Sequence, residues 1–459
     1  MEGFEPKESN VLEFPTPQDF KKEVEIPTPR SDKIFAKAEK LKKLSKYPCN
    51  FDFEVYRKLE LRFGLEQPRG GITFNSPFKL VNSHSTCQQC LYAFEVDTYG
   101  RGCVHDCVYC YAKAELTVHG YWNKPFPMPV DLTEIWKVFY TVFETTKKSK
   151  WRDILEKKIP VRIGSMSDSF MWMDKKYKVT QEFLKMLDYY QYPYIIFTRS
   201  DLIAQDQYID LLNPDLCSIQ MSIASTNDEL NKLIEPGTPS AKRRLIALKK
   251  LVQNGFWTTV RMNPFFPMYA DGYFTDPNFD KENMPEPFEY SSFEMVEEIA
   301  SYGVQSILAG VVRLSSFSLN QIEKAVGRNL REFYKNENRK SSRDFHYSDQ
   351  EIRAYYERIQ AKCIQHGVQF TTCYIGNGDG HFWKDQDLWS NKKDCCNAIN
   401  RVNAFKGATS RDINWETRLR FTNHKNTIAN EPERLHIPLG QPLEITSEGI
   451  KINPEYTNV

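Results

Sequence analysis

Short apolar runs alternate with helical patterns along much of this sequence, and this alternation limits the possible fold more than any other feature. The runs are "VRIGS", "YIIFT", "CSIQMSI", "WTTVRM" and "QSILAGVV". Helical patterns occur beside them at 179–190, 202–212, 240–254 and 292–302. Strands that alternate with helices form parallel βαβ units. About six such units fit between residues 91 and 315, so we predict a partial or complete α/β barrel rather than an open doubly wound sheet.

Capping residues support several of the predicted helices. Asp131, followed by Glu134, has the capping pattern of a helix start. Ser240 and Ser348 occupy the N-cap positions of two later helices. The strand "VQFTTCYI" follows the second of these and is predicted to close or extend the barrel.

The chain divides into five predicted segments. They are an extended N-terminal arm at 1–50 with one short helix around "KIFAKAEKLKKL", a lead-in at 51–90 that contains a CxxC, the barrel core at 91–315, a helical and strand extension with a cysteine cluster at 316–404, and a small polar β appendage at 405–459.

Composition excludes some classes of protein and partner. The formal net charge is +1, so no overall attraction to nucleic acid or membrane is implied. We find no apolar run long enough to span a bilayer and no signal-peptide pattern at the N-terminus, and we therefore expect a cytoplasmic chain without a membrane segment. In a reducing compartment, clustered cysteines among the 11 present favour metal binding or chemistry over disulfides.

The stretch "GRGCVHDCVYCYAKAE" is the strongest functional signal. It places Cys103, Cys107 and Cys110 in a CxxxCxxC pattern just after the first predicted strand. Loops at the carboxyl ends of barrel strands are where function gathers. Three thiolates can each bind one iron of a [4Fe-4S] cluster, which leaves the fourth iron open. The alternative is a zinc site with a distant fourth ligand such as His105 or His119.

Further motifs give the sequence a family resemblance. Together with the cysteine loop, "GSMSDSF", "FTRSDLI", "SIQMSIAST", "LIEPGTPSAKRRL" and "VRMNPFFP" occur in this order. Over about residues 91 to 315 the chain resembles the radical S-adenosylmethionine (SAM) superfamily, in particular the group related to spore photoproduct lyase, a DNA repair enzyme. The resemblance implies a [4Fe-4S] cluster whose open iron binds SAM, and an external electron donor of the flavodoxin or ferredoxin type. It also implies reductive cleavage of SAM to methionine and a 5′-deoxyadenosyl radical.

The resemblance implies cofactor roles for five residues. Tyr109 would lie along the adenine of SAM, or simply pack in the core. Ser165 and Asp168 would meet the SAM ammonium group, or form a capping turn. Arg199 would face the SAM carboxylate, and Ser222 would bind a ribose hydroxyl or remain a buried, backbone-bonded serine.

Other charged residues are predicted around the same barrel mouth. Glu235 is expected to pair with Arg243 or Arg244 and so order the loop over the cofactor. Arg261, Asn263 and Arg313 would point to the mouth if the strand phase is right, since a shift by one residue reverses the side.

Spore photoproduct lyases have a hydrogen-donor cysteine soon after the cluster motif, and this chain departs from that pattern. No cysteine occurs between residues 111 and 216, and Cys217 begins a predicted strand, so it is interpreted as a core residue. Thymine-dimer repair by that route is therefore not predicted.

The remaining cysteines predict a second metal site. Cys87, Cys90, Cys373 and either Cys395 or Cys396 would supply four thiolates. The alternative is a set of unconnected reduced thiols.

Two classes of function follow from the sequence. The first is a radical SAM enzyme that acts on nucleic acid or a nucleotide component, or otherwise on a peptide or small metabolite. The basic stretch "GRNLREFYKNENRKSSR" agrees with a nucleic acid partner, although it is also typical of a solvated surface. The second class is a non-catalytic iron–sulfur or zinc module.

Overall fold

The computed structural model describes most of the chain between residues 29 and 405, together with one hairpin near the C-terminus. The described residues are 29–64, 78–80, 91–92, 94–118, 122, 127–267, 269–334, 344–373, 385–405, 443–446 and 449–452. Residues 1–28 of the predicted arm, most of the predicted appendage, His119, Cys87 and Cys90 lie outside them.

Strands and helices alternate from residue 94 onward. The strands are β1 Phe78–Leu80, β2 Phe94–Val96, β3 Tyr99–Gly100, β4 Met128–Pro129, β5 Val161–Ile163, β6 Tyr194–Thr198, β7 Cys217–Ser222, β8 Trp257–Phe265, β9 Ser306–Val311, β10 Leu314–Ser315, β11 Asp344–Phe345, β12 Gln369–Thr372, β13 Leu443–Thr446 and β14 Gly449–Ile452. The helices are α1 Pro29–Leu44, α2 Glu54–Gly64, α3 Tyr111–Val118, α4 Leu132–Phe143, α5 Arg152–Leu155, α6 Asp174–Tyr177, α7 Val179–Tyr189, α8 Asp206–Ile209, α9 Asp228–Ile234, α10 Ala241–Gln253, α11 Met295–Ser301, α12 Ser316–Val326 and α13 Asp349–Gln365.

One large sheet organises the described part of the chain. Its strand order is β1-β2-β5-β6-β7-β8-β9-β12. Seven of these strands run parallel, and β1 pairs antiparallel with β2 at the edge. Spatial order that follows chain order is the arrangement of a β/α barrel. The protein is therefore an α/β protein with a partial barrel, as the alternation of strands and helices predicted.

Helix starts follow the predicted caps. The Asp131 carboxylate accepts a hydrogen bond from the backbone N–H of Thr133 at the start of α4. Ser240 and Ser348 cap α10 and α13 in the same way.

The helix predicted at 202–212 is wrong. A 3-10 helix at Asp201–Ala204 and the short helix α8 replace it. Gln205 lies between them with φ −77° and ψ 145°, an extended conformation that interrupts the helical hydrogen bonds.

The helix predicted in the N-terminal arm packs on the barrel. Ile34, Ala38 and Leu41 of α1 are buried in the main core. Lys37 of the same helix pairs with Asp131 at 3.2 Å and also with Glu134, both at the start of α4. No helix in the described ranges is long and apolar enough to cross a membrane.

One face of the sheet is covered by residues 385–405, which we call the inner segment, and we call that face the inner face. Trp389, Cys395 and Val402 of the inner segment pack with Tyr92 and Ile195 in a second apolar cluster. The Oγ1 of Thr371 donates to the carbonyl of Cys395 at 2.6 Å, and the Nε2 of Gln220 donates to the carbonyl of Cys396 at 3.2 Å.

Candidate active site

The cysteine loop follows β2 and leads into α3, at the carboxyl end of the first parallel strand. Cys107 is buried, and Cys103 and Cys110 are half-buried. Two non-glycine residues, Arg101 and Asp106, have positive φ values of 62° and 46°, so the backbone turns sharply on either side of Cys103. The position agrees with the general location of sites in β/α barrels.

The three thiols lie near one another in a water-poor environment. Burial raises the pKa of Cys103, Cys107 and Cys110, and the Cys107 thiol interacts electrostatically with the other two. Such thiols lose their protons when a metal binds. Within the described residues, no three Cys, His, Asp or Glu side chains converge as ligands of a single ion would. Since a [4Fe-4S] cluster binds each thiolate on a different iron, the three thiols fit a cluster better than one ion.

His105 lies inside the cysteine loop, but both of its ring nitrogens have protein partners. Nδ1 is 3.0 Å from the carbonyl oxygen of Gly237, and Nε2 is 3.0 Å from Oδ2 of Asp168. A Cβ on Gly237 would lie 2.1 Å from the carbonyl oxygen of Val104, so only glycine allows this close approach. His105 therefore fixes the loop, and the structure does not present it as a fourth zinc ligand.

Asp168 joins the cysteine loop to the end of β6. Its carboxylate accepts hydrogen bonds from the hydroxyl of Thr198 and the backbone N–H groups of Arg199 and Phe170, and it also contacts His105. Burial would raise its pKa, but these partners outweigh burial and lower the pKa. The carboxylate is therefore ionised and engaged with protein groups in this structure.

Glu235 lies at the centre of a buried cluster, the Glu235 cluster, which also contains Tyr109, Arg199 and Arg244. The Glu235 carboxylate is 2.9 Å from Nη1 of Arg199 and 2.8 Å from Nη2 of Arg244, and it accepts a hydrogen bond from the Tyr109 hydroxyl. Burial would raise the pKa of Glu235, yet the two guanidinium groups and the Tyr109 hydroxyl lower it to about 2. Both side chains of the Glu235–Arg244 pair are fully buried.

The sequence left two partners open for Glu235, and the structure selects Arg244. Arg243 pairs instead with Asp201 at 2.6 Å, and the Arg243 side chain is 65% exposed. The predicted pairing that orders the loop is therefore confirmed for Arg244.

Arg199 connects the Glu235 cluster to the cysteines. Its guanidinium carbon is 5.3 Å from the centre of the Tyr109 ring, and its charge interacts with the Cys107 thiol. A buried positive charge at this place favours negative charge on the cysteine sulfurs and on any anionic group that binds beside them.

The two predicted serines lie at neighbouring strand ends. The Ser165 N–H donates to Asp97 at 2.8 Å, and its hydroxyl contacts Glu95. The carbonyl of Ser222 accepts a hydrogen bond from Nη1 of Arg244 at 2.8 Å. Sequence reasoning missed Asp97 and Glu95. Their signal was available, because they are two acidic residues in the otherwise apolar run "LYAFEVDT".

Arg261 lies on the inner face near the mouth. It donates to Gln220 at 2.7 Å, and its guanidinium carbon is 4.6 Å from the centre of the Phe197 ring. Asn263 lies against Gly310, where a Cβ would be 2.8 Å from the Asn263 side chain. Arg313 is exposed in the connection between β9 and β10.

Two of the cysteines predicted for a second metal site come together. The thiols of Cys373 and Cys395 share a hydrogen bond, and the Arg261 charge adds to its effect, so that the pKa of Cys373 is lowered. The four-thiolate site stays a prediction, because Cys87 and Cys90 lie outside the described residues. Cys217 is fully buried in the main core, as predicted.

Comparison with known proteins gives distant relatives. No family model matches the chain. An uncharacterized protein of Acidianus two-tailed virus is 25% identical over 234 residues, which cover 48% of this chain and 68% of that protein. An uncharacterized protein of Methanocaldococcus jannaschii is 29% identical over 174 residues, 37% of this chain and 60% of the relative. An uncharacterized protein of Mycobacterium tuberculosis is 23% identical over 207 residues, 44% of this chain and 58% of the relative. The chain thus matches less than two thirds of the length of the last two.

Solved structures resemble the chain loosely. A spore photoproduct lyase mutant with bound AdoMet and dinucleoside spore photoproduct has 16% identity and a TM-score of 0.45, with 70% of this chain and 93% of that chain covered. Streptococcus suis SuiB bound to S-adenosylmethionine has 11% identity and a TM-score of 0.30, with 52% and 47% covered. Likeness of this extent carries no information about activity.

Proposed function

We propose that this chain is a radical SAM enzyme. The observation that supports it most is the CxxxCxxC loop at the carboxyl end of β2, where three buried or half-buried thiols interact beside the Arg199 guanidinium. Cys103, Cys107 and Cys110 would hold a [4Fe-4S] cluster with one open iron. When bound, the cluster supplies the electron for reductive cleavage of SAM, and an external one-electron donor of the flavodoxin or ferredoxin type would deliver that electron.

The protein's own groups would bind and orient SAM. Arg199, Ser165 and Ser222 lie at strand ends around the cysteine loop, and they are proposed to meet the carboxylate, amino and ribose groups of SAM. The backbone of Tyr109 would lie along the adenine, while its hydroxyl stays on Glu235. Because the Asp168 carboxylate accepts hydrogen bonds from Thr198, Arg199 and Phe170, we assign it the positioning of this site rather than a direct bond to SAM.

The test is SAM cleavage by anaerobically reconstituted protein. Brown protein with about four irons per chain, when reduced with dithionite and given SAM, is expected to release 5′-deoxyadenosine and methionine. Colourless protein that holds zinc and releases no 5′-deoxyadenosine would contradict the proposal and favour a non-catalytic module. A brown protein that never cleaves SAM would leave an iron–sulfur module.

We propose nucleic acid or a nucleotide component as the substrate. Arg261 lies over the Phe197 ring on the inner face, and the Arg162 guanidinium carbon is 5.6 Å from the same ring centre. Guanidinium groups bind phosphates, and aromatic rings stack with bases. Without a donor cysteine between residues 111 and 216, thymine-dimer repair through such a residue is not part of the proposal.

Binding to oligonucleotides should therefore weaken with salt. If phosphate contacts contribute, affinity for single- or double-stranded oligonucleotides should fall steeply between low and moderate salt, because released counterions drive such binding. The measurement is a salt titration by fluorescence anisotropy, with a peptide pool as the comparison. Replacing Arg261 by Met should reduce the slope, while Arg243→Met, at an exposed surface pair, should leave it nearly unchanged. No binding at low salt, combined with SAM turnover that depends on a peptide or metabolite extract, would move the proposal to that substrate class.

A further inference from the structure

Cys373 and Cys395 meet on the inner face of the barrel, away from the cysteine loop in sequence. Cys373 directly follows β12, and its backbone N–H donates to the carbonyl of Ala309 at 2.9 Å. Cys395 belongs to the inner segment, whose backbone is held to β12 by the Thr371 hydroxyl at 2.6 Å. Both sides of the contact are thus fixed by hydrogen bonds, and the two thiols share a hydrogen bond with each other.

The surroundings of the two thiols differ. Arg261 hydrogen-bonds to the Cys373 thiol, and the charge of Arg162 also acts on it. Cys373 is half-buried, whereas Cys395 is 2% exposed. A thiol that is accessible and lies beside guanidinium groups has the character of an attacking thiolate, and a covered partner thiol has the position of a resolving one.

Other buried cysteines in the described ranges lack this environment. Burial raises the pKa of both Cys217 and Cys363 to about 12. Thiols of this kind are inert packing residues. The contrast shows that burial alone does not account for the arrangement at Cys373.

We propose that Cys373 and Cys395 form a redox-active dithiol that reacts with small aliphatic disulfides. Cys373 is the attacking residue, and Cys395 closes the intramolecular disulfide. This inference goes beyond the proposed function and does not depend on it, since the reaction needs neither SAM nor a cluster.

The reaction balances as a two-step exchange. The Cys373 thiolate attacks one sulfur of a disulfide RSSR, so that a Cys373–SR bond forms and RS⁻ leaves. Cys395 then gives up its proton, and its sulfur displaces the second RS⁻ from Cys373. The products are a Cys373–Cys395 disulfide and two molecules of RSH, so the protein pair is oxidised and the small disulfide is reduced.

The test is disulfide mapping of the full-length protein in glutathione redox buffers. After oxidation, blocking with iodoacetamide and proteolysis, the peptides of Cys373 and Cys395 should be joined, with the loss of two hydrogen atoms. Cys395→Ser should stop at a mixed disulfide with glutathione on Cys373, whereas Cys373→Ser should form neither product. Cys373 should react at least about ten-fold faster than Cys363 in the same sample, and Arg261→Met should slow it. Cys363→Ser is the matched control and should leave the pair unaffected.

Two outcomes would overturn the proposal. In the first, the pair stays reduced in fully oxidised glutathione while Cys373 remains as slow as Cys363. In the second, purified protein holds zinc or iron that Cys373→Ser removes, and the bound metal protects both thiols from the disulfide. The second result would establish the metal site predicted from the sequence instead. Both readouts work on wild-type protein, so they remain decisive even if a variant fails to fold.

Discussion

Serine in place of Cys103, Cys107 or Cys110 is expected to abolish SAM cleavage and to lower the bound iron. Each substitution removes one thiolate from a set of three, and none of the three has a second thiol partner elsewhere among the contacts described for the loop. The effect should be largest at Cys107, which is 5% exposed and interacts with both other cysteines and with Arg199. Iron and sulfide analysis, visible absorbance and 5′-deoxyadenosine release measure it.

The matched control is Cys49→Ser. Cys49 is a half-buried thiol between α1 and α2, and burial raises its pKa to about 12, as expected of a packing thiol. The control should keep wild-type iron and activity. If the triple serine variant still cleaves SAM on reduction, the assignment of the three cysteines is wrong. If all variants fold and bind iron equally well, the metal lies elsewhere.

The fold was predictable because each parallel strand is an apolar run bounded by recognisable helix signals. Strands buried on both faces need nearly continuous apolar residues, and "YIIFT" and "SILAGV" satisfy this. Caps such as Asp131 and Ser240 are local interactions, so the sequence reveals them directly. The helix at 202–212 was missed because the extended backbone of Gln205 is not visible in hydrophobic periodicity.

The interior of the candidate site was less predictable, because its contacts join residues far apart in the chain. The Tyr109 hydroxyl meets Glu235 across a separation of 126 residues, and His105 meets Asp168 across 63. Local patterns place each residue at a strand end or in a loop, but they do not say which side chains meet there. The sequence therefore located Glu235 and offered two arginines, while its position between Arg199 and Arg244 required the structure.

Tyr109 illustrates the same point. The sequence placed it before Cys110 and left core packing and a cofactor role as alternatives. The structure shows a buried ring between Arg199 and Phe266, with the hydroxyl on Glu235. A tyrosine with a charged hydrogen-bond partner can both pack and order a charged site, so the two alternatives were not exclusive.

The Glu235→Gln variant is expected to show the largest loss of stability. The substitution keeps the shape of the side chain but leaves the Arg244 guanidinium, whose side chain is fully buried, without its counter-charge. Breaking a buried ion pair from one side costs about 3–5 kcal/mol, since the remaining charge is desolvated and unpaired. The control is Asp201→Asn, because the Arg243 side chain is 65% exposed and its pair should contribute about 1 kcal/mol or less. Urea unfolding of the two variants and the wild type measures the difference.

The same pair predicts how the stability gap between wild type and Glu235→Gln depends on pH. The pKa of Glu235 is lowered from 4.5 to about 2, so its ionised form stabilises the fold fully above pH 4.5 and progressively less as the pH falls towards 2. The gap should therefore narrow below pH 4.5, while Asp201→Asn shows no comparable change. A second variant, with Arg244→Met added to Glu235→Gln, should recover part of the lost stability, because the unpaired charge is removed together with its partner. If Glu235→Gln unfolds within about 1 kcal/mol of Asp201→Asn at neutral pH, the Glu235 cluster does not hold the cysteine loop in the way its geometry implies.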